Sequence, residues 1–189
     1  MVWDDFFCYP VIMNDLYALS PGDLAAWIVP RTKVEPILDW IAFYALRGPV
    51  GVMDSGEGFD TRQVMRLLRR RTPQMTEALS RIHASRVSTC YQLIRLLEET
   101  PASTIPYIAL DFLATFYDES VPIAESYHLL GIAVGHLHRL RKQAPFVVCI
   151  HPPRIHQPER AGLADVVLEI VDHIHFQEPP QKDRATKLL

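Results

Sequence analysis

Short, continuous apolar runs recur along this chain, separated by longer segments whose apolar residues return every three or four positions. Residues 24–29 (Leu-Ala-Ala-Trp-Ile-Val), 50–53, 107–110 and 146–150 are such runs. A strand with one face in water alternates apolar and polar residues. A strand that is apolar throughout is buried on both faces, which is the situation inside a parallel sheet. Between the first two runs, apolar residues stand at 34, 37, 38, 41, 42, 45 and 46. That is a helical period, with Pro36 tolerated in the first turn and Gly48 and Pro49 ending it. Helices are also expected over 61–71, with Val64, Leu67 and Leu68 inside, over 88–99, and over a long segment where Ile123, Tyr127, Leu130, Val134 and Leu137 step by three or four. Further strands are expected at 81–84, 166–171 and 173–176. Strands alternating with helices imply a three-layer α/β/α domain with a mostly parallel central sheet and right-handed crossovers. An aromatic arm over 1–20, a core over 21–178 and a polar tail over 179–189 complete the expected organisation.

Composition narrows the class. The chain has 189 residues, 49% of them hydrophobic and 22% charged. It is long enough for one domain with a full core. No apolar run approaches the roughly 18 residues of a membrane span. The first seven residues carry two acids and no positive n-region, so a cytoplasmic protein without a membrane partner is expected. Cys8, Cys90 and Cys149 lack metal or redox spacing and read as reduced packing residues. A net charge of −3 offers nucleic acid no global attraction, so any such contact requires a local patch.

Three segments resemble the RecA/RadA recombinase superfamily. Residues 52–59, Val-Met-Asp-Ser-Gly-Glu-Gly-Phe, look like the family's strand-end Asp-Thr-Glu-Gly-x-Phe with one extra residue, Gly56. Residues 81–93 resemble the strand and helix start that follow. Residues 107–117 resemble the Walker B strand, an apolar run ending in Asp111. The resemblance implies a RecA-like core in which Glu57 stands where the family's catalytic glutamate polarises water and Asp111 where the Walker B acid supports Mg²⁺.

The chain departs from the family at the phosphate-binding loop. G-x-x-x-x-G-K-[ST] belongs between the first strand and the following helix. Aligning Lys33 with the family's lysine leaves Trp27 and Thr32 at the glycine positions and Val34 at the hydroxyl position. Glycines let backbone N–H groups wrap phosphates, and the hydroxyl binds Mg²⁺. Neither is supplied here, so no catalytic residue is expected, and Glu57, Asp111 and Lys33 are vestigial candidates. ATP and Mg²⁺ enter only under the alternative of an atypical ATPase with a remodelled site.

Arg62, Arg66, Arg69 and Arg70, with Arg71 beside them, share one helix face and form the strongest basic feature. Such a stripe suits either backbone phosphates or plain solvent. The resemblance places the family's DNA-binding loops at 117–122 and 151–163, the second offering Arg154, His156 and Arg160. No metal site is expected. His136 and His138 diverge on a helix, and neither His151 with His156 nor His173 with His175 has supporting ligands. No G-x-S-x-G elbow is present. The expected function is a non-catalytic recombinase paralog, a scaffold or accessory subunit in DNA recombination or repair. It would pair with another RecA-like subunit or with itself and contact DNA. A regulatory RecA-fold protein that leaves nucleic acid alone is the remaining reading.

Overall fold

Each of the four continuous apolar runs becomes a strand of a single sheet. The computed structural model describes residues 19–29, 35–151 and 157–176. Expectations placed on residues 1–18, on Lys33, Arg154 and His156, and on the tail over 179–189 lie outside the described residues. The strands are β1 (Leu24–Ile28), β2 (Val50–Asp54), β3 (Ile82–Arg86), β4 (Tyr107–Leu110), β5 (Phe146–Ile150) and β6 (His173–Phe176). All pair in parallel, in the order β3-β2-β4-β5-β1-β6. β1, β2 and β5 are buried along their whole length, whereas the edge strand β3 is exposed from His83 onward.

Parallel strands need crossovers, and these sort the helices by direction. Chain moving from β1 through β2 to β3 uses α1 (Glu35–Ala45), α2 (Thr61–Arg69) and α3 (Met75–Ser80); the return uses α4 (Cys90–Glu99), α5 (Ile123–Leu140) and α6 (Gly162–Leu168). The first three cover one face of the sheet over Ala25, Trp27, Val52, Ile108 and Val147, and the second three cover the other over Leu24, Ala26, Met53, Ala109 and Val148. The expected three-layer α/β/α core is therefore what forms. Trp27 of β1 and Trp40 of α1 meet edge to face at 6.4 Å. Large side chains of this kind contribute about 1.5–3 kcal/mol each on burial.

Local chemistry sets the helix starts. Asp60 caps α2 by accepting from the backbone N–H groups of Arg62 and Gln63, at 2.8 and 3.2 Å. Thr89 does the same for Gln92 at the start of α4. In β2, Gly51 lies opposite Tyr107, whose ring occupies the space a side chain at 51 would need and stacks on Phe146 with centroids 5.9 Å apart.

Two expectations need correction. Residues 166–171 do not form a strand: 162–168 are α6, and 169–170 turn. β6 lies parallel to β1 on the side away from β5, so the chain must cross β1, and Leu163, Ala164 and Val167 supply the apolar side of a crossover helix. In α5 the inward face is rotated from the one expected. Ser126, Leu129, Leu130, Ala133, Leu137 and Leu140 are buried, while Tyr127 is exposed and its hydroxyl sits over Gly162.

Asp172 ties the start of β1 to the start of β6. Its carboxylate accepts from the N–H of Leu24 at 2.9 Å and pairs with Arg141 at 2.5 Å. The Leu24 N–H, then the Arg141 guanidinium, hold this carboxyl below its ordinary value. A lowered folded-state pKa gives stability that is present above the unfolded value of about 3.9 and disappears as pH falls through the folded one. Asp172→Asn should therefore lower the urea midpoint at pH 7 and flatten its decline below about pH 4. Parallel midpoint curves for the two proteins would show that Asp172 contributes nothing to acid stability.

Candidate functional site

In an open parallel sheet a crevice opens at the carboxyl ends of neighbouring strands whose connections leave toward opposite faces. β2 and β4 are such neighbours, since the chain after β2 goes to α2 and the chain after β4 goes to α5 on the other side. At this point lies a cavity of about 170 Å³, bordered by Ile37, Gly56, Glu57, Gly58, Leu110, Asp111 and His151. It is smaller than the roughly 300–1,000 Å³ usual for sites that enclose a cofactor.

Asp54, the last residue of β2, organises the loop that carries Glu57. Its buried carboxylate accepts from the N–H groups of Gly56, Gly58 and Phe59, at 3.4, 2.9 and 3.2 Å. Arg86, its register partner on β3, closes the set with a 3.0 Å ion pair. Asp54 is thus consumed in shaping the turn. Arg86 also reaches the carbonyl of Phe59, so the edge strand braces the same loop.

Glu57 and Asp111 are the non-glycine residues with positive φ among the described residues, at 59° and 45°. Left-handed backbone costs an L-residue about 1–2 kcal/mol, and residues held there concentrate at functional sites. Both border the cavity. Glu57 is exposed, whereas Asp111 is buried and Gly56 packs directly against its carboxylate and Cβ.

Asp111 also faces inward. Burial, then the nearby Asp111 charge, push the Cys149 thiol far above its ordinary value, so that thiol is an inert packing group. Cys90 is likewise free and buried. His151 directly follows β5, at the start of the 151–163 loop expected to meet DNA. Its Nδ1 donates to the carbonyl of Val29 at 2.7 Å, which joins the ends of β1 and β5 and fixes the ring beside Asp111 and Glu57. A histidine following a buried strand directly was the available signal. Among the described residues, no three His, Cys, Asp or Glu side chains gather as a metal site would require.

The two loops expected to meet DNA are fastened to each other. Arg160, buried at the end of a 3₁₀ turn (Pro158–Arg160), donates to the carbonyls of Phe116 and Val121, at 2.7 and 2.6 Å, and to Ser126 Oγ at 3.1 Å. Gln157 donates to the carbonyl of Tyr117 and to Glu119. The expectation that Arg160 contacts DNA is therefore corrected: its guanidinium is turned into the protein and occupied by backbone oxygens. Arg62, Arg66, Arg69 and Arg70, in contrast, are all exposed on or at the end of α2. They lie on a helix of their own and do not border the cavity.

No family model matches the chain, and no curated protein matches it. Among the described residues, no helix is long and apolar enough to cross a membrane.

Proposed function

We propose that this chain is a RecA-type core that has given up its nucleotide and works as a scaffold or accessory subunit in DNA recombination or repair. Its partner would be another RecA-like subunit or a second copy of itself. The observation that carries the reading is the neighbourhood of Glu57 and Asp111. The segments that resemble the family fall on β2, on β3 with α4, and on β4, three adjacent strands of the sheet, so the two acids border one crevice. The connection after β1, where a phosphate cradle would belong, reads Pro30-Arg31-Thr32-Lys33-Val34 without a glycine. The crevice keeps acids, and the sequence after β1 offers no glycine that would let N–H groups wrap a triphosphate.

A core retained after loss of the phosphate site is explained if its surfaces are what function uses. Calorimetry with Mg²⁺-ATP should give no binding heat at roughly millimolar nucleotide, where an ordinary site would be saturated. A parallel assay should show no phosphate release. Micromolar binding, with turnover abolished by Glu57→Gln, would replace this reading with an ATPase that uses Glu57, Asp111 and Lys33 in a remodelled site.

A further inference from the structure

Arg62, Arg66, Arg69 and Arg70 differ from the other arginines of the described residues. Arg71 holds Asp39, Arg81 holds Glu77 and Arg86 holds Asp54. The others are likewise occupied by carboxylates or carbonyls, or, for Arg47, also by the ring of Phe43. The four of the α2 stripe have no acidic, carbonyl or aromatic partner among the described residues. Among the described side chains of the helices that pack beside α2, the acids Asp39 of α1 and Glu77 of α3 are already taken.

Helical steps of 100° put the four within a sector of about 100°, opposite the buried Val64, Leu67 and Leu68. Like charges three and four residues apart destabilise a helix by a few tenths of a kcal/mol per pair. Favourable interaction with the helix dipole accounts for Arg66 and Arg69 in the last turn but not for Arg62 in the first. The stripe is therefore a mild cost to the fold, with its cationic groups left free.

We propose that this face of α2 binds the phosphate backbone of nucleic acid without reading its sequence. From 62 to 70 the helix rises about 12 Å, and a B-form strand presents a phosphate every ~3.4 Å of axis, so the guanidiniums span roughly four phosphates. Guanidinium forks match phosphate oxygens in pairs. A lipid surface fits less well, because Val64, Leu67 and Leu68 of α2 face the core and leave only the half-buried Met65, at the flank of the basic side, to insert among acyl chains. The proposal deepens the accessory-subunit reading, and rests on it, by naming the surface that meets DNA.

Fluorescence anisotropy of the full chain with a labelled duplex, and with a single strand of the same sequence, tests it across a salt series. Four neutralised phosphates give a slope of about −3.6 for log K against log salt on duplex and about −2.8 on single strand, and roughly a hundredfold loss on duplex from about 50 to 200 mM salt. Arg62, Arg66, Arg69 and Arg70 all replaced by glutamine, a good helix former, should remove this binding, and R62Q/R66Q should remove about half of the slope. The Arg95→Gln control, at an exposed pair with Glu99, should bind like the parent. The proposal is overturned by no binding at low salt, by equal binding of a folded R62Q/R66Q variant, or by anionic vesicles that bind in preference to DNA. Because Mg²⁺-ATP binding is read separately by calorimetry, an active nucleotide site would sink the ATP-free reading while leaving the salt slope to decide this one.

Discussion

Replacing Arg160 with methionine is expected to lower folding stability by about 2–6 kcal/mol, because two buried main-chain carbonyls lose their donor at about 1–3 kcal/mol each. Arg160 is 4% exposed and its guanidinium gives three hydrogen bonds, two of them to main-chain carbonyls of the segment between β4 and α5. Methionine fills similar volume but leaves the carbonyls of Phe116 and Val121 without this donor, away from water, which costs about 1–3 kcal/mol for each buried group. Lysine restores the charge as a single point and cannot reach both carbonyls with the geometry of a fork, so Arg160→Lys should fall between the two. Urea unfolding at neutral pH measures this directly. With native domains stable by about 5–15 kcal/mol, the methionine variant should show a large fall in midpoint at an unchanged slope. A loss below about 1 kcal/mol would mean that the strap between the two loops is dispensable.

Arg160 also shows what could and could not be read beforehand. The strands at 107–110 and 146–150 were legible to the residue, because a run that is apolar at every position has few alternatives when helices flank it. Helix α2 was legible from Val64, Leu67 and Leu68, and its arginine stripe from the same period. Arg160 stands in a proline-rich polar stretch without a period, and its partners lie 34 to 44 residues earlier in the chain. Its burial is a property of tertiary packing that no local pattern reports. Residues 166–171 misled for a related reason. Their β-branched run favours a strand locally, but the crossover demanded by parallel β5 and β6 decides the matter. In the cavity, Glu57 and Asp111 were identifiable as acids at strand ends, whereas their shared positive φ and the role of His151 depend on the sheet order that brings three strand ends together.

The second large effect is expected at Gly56, the residue that lengthens the Glu57 loop relative to the family pattern. A β-carbon built there would stand 2.5 Å from Asp111 Cβ and closer still to Asp111 Oδ2. Gly56 does not lie in the left-handed region, so the cost of Gly56→Ala comes from this collision and not from its own backbone. Asp111 has little freedom to retreat. It is buried, its backbone is already at φ 45°, and the next residue is tied to β5 by the hydrogen bond from the Phe112 N–H to the carbonyl of Cys149. Overpacking of this kind costs about 1–3 kcal/mol. Asp111→Gly removes both the obstructing atoms and the left-handed strain, so the double variant should be more stable than the sum of the single effects by about 1–3 kcal/mol, measured by a urea double-mutant cycle. Additivity within about 0.5 kcal/mol would mean that the two residues are not in contact in solution. Strong coupling has a functional consequence. An acid that supports a hydrated Mg²⁺ must offer an oxygen to the metal, and Oδ2 of Asp111 is the one that a side chain at 56 would meet, so the same coupling would report how open this carboxylate is to a ligand.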